Sequence, residues 1–208
     1  MRKEIIHLLN EHLNQFNSLL PYASKTGHPV PTDTKYFSQI LASLVTGIKG
    51  IERHKGADLL DGSDVKGAVV WEAIDTPRFN GCLKAGTKSY KAGNLKSLDD
   101  QPFLFLIMWD EEEKFKSKRV RIWSVNTQKD FLFRNMAQSW YLKCDRGEII
   151  STNFQLHPPR NKNNNTITNT CGNMEYPLIF EAIYEKQKKS YEITIFEKDY
   201  SSLRCRKV

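Results

Sequence analysis

Cysteine is sparse in this 208-residue chain, and its four copies, Cys82, Cys144, Cys171 and Cys205, stand far apart with no CxxC pair and no histidine at finger-like spacing. That spacing offers no zinc-finger pattern, and it fits a reducing cytoplasm. Long apolar runs are lacking too: nothing approaches the roughly 20 residues of a membrane span. The N-terminal "MRKEIIHLLNEHL" is interrupted by polar residues where a signal peptide needs an unbroken apolar core. The expectation is a cytoplasmic protein without a membrane partner. The five histidines, His7, His12, His28, His54 and His157, are scattered. None belongs to a triad or a zinc pattern, and nothing marks a serine or cysteine nucleophile. There is also no internal repeat.

Acidic side chains are missing from one long stretch. Between residues 77 and 98, "PRFNGCLKAGTKSYKAGNLKSL", five basic residues (Arg78, Lys84, Lys88, Lys91 and Lys96) occur without a single acid. Phe79, Tyr90 and glycines 81, 86 and 93 are interleaved with them, a composition suited to a surface that follows a phosphate backbone. Taken alone, the stretch reads equally as a basic solvated loop. The whole chain carries a formal net charge of +7, which favours a polyanionic partner through counterion release and steering.

What is present otherwise is ordinary for a folded protein: 39% hydrophobic and 26% charged residues, enough for one good core. Residues 4–20 place Ile5, Leu9, Leu13, Phe16 and Leu20 at helical spacing, with Pro21 as the expected stop. A second helix is expected from Thr32 or Asp33, with Phe37, Ile40, Leu41, Leu44, Ile48 and Ile51 on one face. "ADLL" and "DVKGAVVWEAI" read as a hairpin turned at Gly62. "FLFLIMWD" reads as a central strand covered on both faces, and "RVRIWSV" as the next strand. Residues 127–143 return to helical spacing through Leu132, Met136 and Trp140. A short strand is expected near 149–156, then an Asn-rich loop, a helix from Pro177 to about Lys189, and a strand at "YEITIF". The expected fold class is mixed α/β (α+β), a central mixed sheet of about four to six strands flanked by helices. One domain would cover residues 1–208, with a helical part over about 1–52 and a sheet core over about 55–125.

The constellation with chemical content is Asp58, Asp64 and Lys66. Phosphodiester hydrolysis needs a cation to neutralise the phosphate, an activated water and a charge to steady the transition state. Two carboxylates can hold Mg²⁺, which prefers oxygen ligands, and a lysine can orient or activate the water. Residues two apart on a strand share a face, so Asp64 and Lys66 stand side by side. A three-residue turn of Asp61, Gly62 and Ser63 would set Asp58 opposite Lys66 on that face, whereas a two-residue turn would put it on the other. The tripeptide alone says little, because Asp33/Lys35 and Glu112/Lys114 repeat it in a helix start and a charged loop. The plain alternative is a solvated hairpin with a surface ion pair. Glu52 and Glu72 are possible accessory acids or surface charges. The loop "HPPRNKNNNTITNTCGNM" holds six asparagines between 161 and 173. Arg160, Asn163 and Asn164 in it, with Arg78, Asn80, Lys84, Lys88 and Lys91 upstream, are the candidate DNA contacts; low-complexity asparagine also makes simple turns.

The order helix, "GADLL…DVKGA", strands, helix resembles the PD-(D/E)XK nuclease superfamily used by many type II restriction endonucleases. "GADLL", "VKGA", "W-AIDTPRFN", "KAGT" and "FQLHPP" are similar to the MamI-like members in particular. The resemblance implies a Mg²⁺-dependent, sequence-specific endonuclease acting on double-stranded DNA, usually as a homodimer, with its first acid on Asp58, its second on Asp64 and its lysine on Lys66. Only five residues separate Asp58 from Asp64 and no proline precedes Asp58, so Asp61 stays open as the first acid. A structure-specific repair or recombination nuclease and a non-catalytic nucleic-acid-binding module are the alternative readings.

Overall fold

The computed structural model describes residues 1–30, 34–52, 56–71, 76–83, 91–112, 114–151, 153–158 and 174–207. Helix α1 (Arg2–Thr26) buries Ile5, Leu9, His12, Leu13, Phe16 and Ala23. It does not stop at Pro21. The ring costs one rung of the hydrogen-bond ladder, but the apolar face continues one turn further to the buried Ala23, and the helix ends at Gly27, whose N–H closes on the Ala23 carbonyl. Helix α2 (Lys35–Thr46) is shorter than the apolar periodicity implies, because Gly47 takes the left-handed conformation and caps it. Ile48 and Ile51 therefore lie beyond it, and Ile40 is exposed. The expected cap positions Thr32 and Asp33 lie outside the described residues.

Strand β1 (Asp64–Val69) is not half of a hairpin. Its partner is β2 (Phe103–Glu111), and the two run parallel, with Asp64 beside Leu104 and Val69 beside Trp109. A parallel pair needs a long crossover, here residues 70–102, which carry a 3₁₀ turn at Lys91–Gly93 and the short helix α3 (Lys96–Asp99). Strand β3 (Lys118–Asn126) returns antiparallel to β2. Helix α4 (Phe131–Asp145) starts where the Asp130 carboxylate accepts the Phe133 N–H, and it buries Phe133, Ala137 and Tyr141, one residue along from the stripe Leu132, Met136 and Trp140.

The described residues of 149–156 form no strand; Leu156 makes a single bridge to Phe79. The helix expected after Pro177 is also overturned. Following the two-residue β4 (Met174–Glu175), residues Leu178–Glu185 are strand β5, joined by a tight turn to β6 (Ser190–Phe196). Tertiary context decides this: Leu178–Glu185 is the inner strand between β3 and β6, where Ile179, Phe180 and Ala182 are buried. The five-stranded sheet has the order β1-β2-β3-β5-β6, and β4 pairs separately with β7 (Arg206–Lys207). This is the expected class, a mixed sheet flanked by helices.

Both faces of the sheet are covered. Phe105, Ile107 and Trp109 of β2 meet α1 and α2, while Leu104, Leu106 and Met108 face the cluster that contains the α4 side chains. Full burial of each such side chain contributes about 1.5–3 kcal/mol, so the apolar run of β2 ties the two layers together. Among the described residues no helix is long and apolar enough to cross a membrane.

His12 sits inside the first layer, only 7% exposed, with ring centroids of Trp109, Phe37 and Trp71 at 4.3, 4.5 and 5.3 Å. Burial lowers its pKa from the usual 6.5 to about 4. An unfolded His12 takes up a proton below pH 6.5 while the folded one stays neutral until about pH 4. Its contribution to stability is thus present above pH 6.5 and is lost as pH falls through that window, by about 3 kcal/mol in all. In urea titrations, the stability difference between His12→Leu and the wild type should drift in favour of the variant from pH 7 to pH 4.5. A difference independent of pH would refute it, and reading the difference at each pH cancels the other titrating groups.

Candidate nuclease site

The turn that opens β1 is built from its own polar groups. The Asp61 carboxylate accepts the Ser63 N–H at 2.9 Å and the Ser63 hydroxyl at 2.8 Å, and the Ser63 carbonyl accepts the N–H groups of Asp58 and Leu59 at 3.1 Å each. Gly62 is required here: φ is +93°, and a Cβ would lie 2.5 Å from the Asp100 carbonyl oxygen. Asp61 belongs to the turn. The strand expected at "ADLL" is reduced to one antiparallel bridge between Leu59 and Gly50, with Ile51 N–H donating to the Asp58 carbonyl. The pairing of Asp58 opposite Lys66 across a hairpin is therefore not found.

The three candidate groups meet by another route. Asp58 reaches over the turn, and its Oδ2 accepts the Val65 N–H at 2.9 Å, next to Asp64. Its Oδ1 accepts the side-chain amide of Gln39, from α2, at 2.6 Å. Asp64 Oδ1 accepts the same Val65 N–H at 3.1 Å, and Asp64 Oδ2 pairs with Lys66 Nζ at 2.7 Å. Asp64 is 4% exposed, whereas the Lys66 side chain keeps 23% of its surface. Burial raises the Asp58 carboxyl to about 6; a hydrogen bond with Asp64 adds to this, the Val65 N–H opposes it, the Asp64 charge raises it further and Lys66 lowers it. Two carboxyl groups and the Lys66 amine thus occupy one small site, where the two carboxylates repel each other when both are ionised.

A second segment forms the wall of this site. Phe79 and Leu156 exchange two backbone hydrogen bonds, Cys82 N–H donates to the Phe154 carbonyl at 3.0 Å, and Gly81 N–H donates to Asn153 Oδ1 at 2.7 Å. Asn153 Nδ2 in turn donates to Asn80 Oδ1 at 3.4 Å. A Cβ placed on Gly81 would stand 4.0 Å from Lys66 Cε, so this segment lies against the lysine stem. Asn80 is accordingly held close to the site and is exposed, as is Arg78 two residues before it. Cys82, buried behind them, has its thiol pushed up to about 12 by burial. It is no nucleophile.

Two of the remaining candidates lie among the described residues. Lys91 opens the 3₁₀ turn whose Gly93 packs on Leu142 of α4, and Glu52 is exposed just past the Ile51 pairing. Glu72, Lys84, Lys88, Arg160, Asn163 and Asn164 lie outside the described residues. Among the described residues no group of three or more His, Cys, Asp or Glu side chains could hold a metal ion; the acidic site is a pair. Gln39 and Asn153 were not among the sequence candidates. Neither carries a motif, and each reaches the site only through tertiary contact.

Residues 21–196 match the family model described as MamI restriction endonuclease. The type II restriction enzyme MamI of Microbacterium ammoniaphilum is 32% identical over 193 residues, covering 81% of this chain and 58% of that protein. The chain therefore spans less than two thirds of the length of the curated relative it matches. No solved structure matches it. On these grounds the chain belongs to the MamI restriction endonuclease family.

Proposed function

We propose that this protein is a type II restriction enzyme, a sequence-specific endonuclease that hydrolyses phosphodiester bonds of double-stranded DNA. Asp58 and Asp64 are the metal ligands, and Lys66 serves the attacking water. The observation that carries this reading is the meeting of those three side chains at the start of β1 in a member of a restriction endonuclease family. The relative from Microbacterium ammoniaphilum is a type II restriction enzyme, which supports the activity class, and the charge of +7 supports a DNA partner.

The donor set fits a hard divalent cation. Mg²⁺ takes oxygen ligands and needs only one or two protein carboxylates. Asp58 and Asp64 supply two, and the burial and neighbouring acid that raise the Asp58 pKa are the conditions under which added positive charge is favourable. When bound, Mg²⁺ would neutralise the phosphate and lower the pKa of water. The protein's own part is positional. The 2.7 Å contact to Asp64 keeps the Lys66 ammonium beside the acids, where its charge can steady the developing negative charge on the phosphate. Gly81 and the Asn80–Asn153 pair form the wall against the lysine stem.

Arg78, Asn80 and Lys91, and beyond the described residues Lys84, Lys88, Arg160, Asn163 and Asn164, are the DNA contacts in this reading. Glu52 and Glu72 are its accessory acids. The enzyme acts as a cytoplasmic homodimer, because symmetric DNA sites are most simply cut by two-fold pairs. Residues 1–208 form one nuclease domain.

Incubating the protein with phage DNA in Mg²⁺ should give discrete fragments, and chelation with EDTA should leave the DNA whole. Cleavage undiminished in EDTA would remove the metal pair. Uncut DNA that is nonetheless bound, with a strong dependence on salt, would remove the enzyme and leave a binding module.

A further inference from the structure

Gln39 is the one helix side chain that touches the acidic pair by a described hydrogen bond. Its Nε2 lies 2.6 Å from Asp58 Oδ1, while Asp58 Oδ2 takes the Val65 N–H at 2.9 Å. The carboxylate is gripped from two directions, by α2 and by β1, which fixes the plane of the group. Each carboxylate oxygen has two lone pairs, so one on each oxygen is left for another partner.

The helix that carries Gln39 is itself held tightly on β1. A Cβ at Gly67 would lie 2.8 Å from the Ser38 hydroxyl and 3.5 Å from that of Thr34, so only glycine at this position lets α2 come so close. Ser38 is buried, and its hydroxyl accepts the Trp109 indole N–H at 2.9 Å, which pins the residue beside Gln39 to β2. The donor is therefore placed by packing and not by a mobile surface chain.

Chemistry favours an amide in this place. An acid would add a third negative charge and repel Asp58, and a lysine would hold the carboxylate as an ion pair and oppose a cation. A neutral donor orients the oxygen and leaves its charge in place. When Asp58 is ionised it can only accept, so the NH₂ end must face it.

We propose that Gln39 is a positioning residue for cation binding: its side-chain amide orients Asp58 toward a divalent cation shared with Asp64. The inference rests on the reading of Asp58 as a metal ligand. Its test is Mg²⁺ binding without DNA, followed by the rise in thermal midpoint as Mg²⁺ is added, in the wild type, Gln39→Met, Gln39→Ala and Asp58→Asn. Both Gln39 variants should need about tenfold more Mg²⁺ for half of the full rise, as is usual when an outer hydrogen bond to a ligand is lost. The cleavage rate at saturating Mg²⁺ should return to within a few-fold of the wild type.

A merely structural role would lower the midpoint in Mg²⁺-free buffer and leave the half-saturating Mg²⁺ unchanged. A half-saturating concentration within twofold of the wild type in the Gln39 variants, with the response abolished in Asp58→Asn, overturns the role of Gln39 alone. An Mg²⁺ response unaltered in Asp58→Asn, or no response in the wild type, overturns both readings.

Discussion

Asp64→Asn should cost about 10³-fold or more in cleavage rate while leaving DNA binding in EDTA intact. The substitution preserves the shape of a side chain that is 4% exposed, and the amide oxygen can still accept the Val65 N–H, now at 3.1 Å. What is lost is the charge. Lys66 Nζ, 2.7 Å from Asp64 Oδ2, would face either a neutral oxygen or an NH₂ group, and the lysine would turn to solvent through the quarter of its surface already exposed. Binding should hold or tighten slightly, because removing a negative charge reduces repulsion of phosphate. Rates on linear DNA and binding by gel shift in EDTA separate the two effects. Turnover within tenfold of the wild type would sink the assignment, and a parallel loss of binding would make Asp64 a structural residue.

Much of this site is visible in the sequence because Asp64 and Lys66 lie two residues apart on one strand, and strand periodicity places such residues on one face whatever the strand pairs with. Asp58 comes beside Asp64 by a different route from the one the local pattern suggests. A hairpin is the natural reading of two short runs around a glycine, but the pairing partner of β1 comes from residues 104–109, far along the chain, and a parallel pair leaves no local turn signal. Asp58 reaches the site by a side-chain bond to Val65, which a register argument has no means to foresee. Asn153 and Gly81 are separated by 72 positions and Gln39 and Asp58 by 19, and neither Asn153 nor Gln39 carries a local signal of its partner. The strand at Leu178–Glu185 was hidden by Pro177, a plausible first residue of a helix. Its run of Leu, Ile, Phe, Ile and Tyr suits the inner position between β3 and β6 that it occupies.

The largest expected effect on stability lies at the other end of the sheet. Asp110, 2% exposed, accepts two hydrogen bonds from Arg119, Nε to Oδ1 at 3.0 Å and Nη2 to Oδ2 at 2.8 Å, and a third from Arg121 Nη2 at 2.5 Å. Arg119 stands directly across from it on β3, and Arg121, 1% exposed, follows two residues on along the same face. Burial pulls the Arg121 pKa down, the Asp110 charge opposes that, and the Arg119 charge adds to it. Asp110→Ala leaves the two guanidinium groups beside each other without the carboxylate between them. Breaking a buried pair in this way costs about 3–5 kcal/mol, a large part of the roughly 5–15 kcal/mol that holds a domain together. Urea unfolding should show that loss, and a change below about 1 kcal/mol would mean that water or other groups already carry the charges. Removing both partners is the sharper comparison: Asp110→Leu combined with Arg121→Met takes away the buried cation together with its anion, and should recover a good part of the loss. Asp110 lies six residues along β2 from the level of Asp64, roughly 20 Å by strand rise. Below its melting point Asp110→Ala should therefore cleave DNA at close to the wild-type rate, so a loss of rate without a loss of stability would show that this end of the sheet takes part in the reaction.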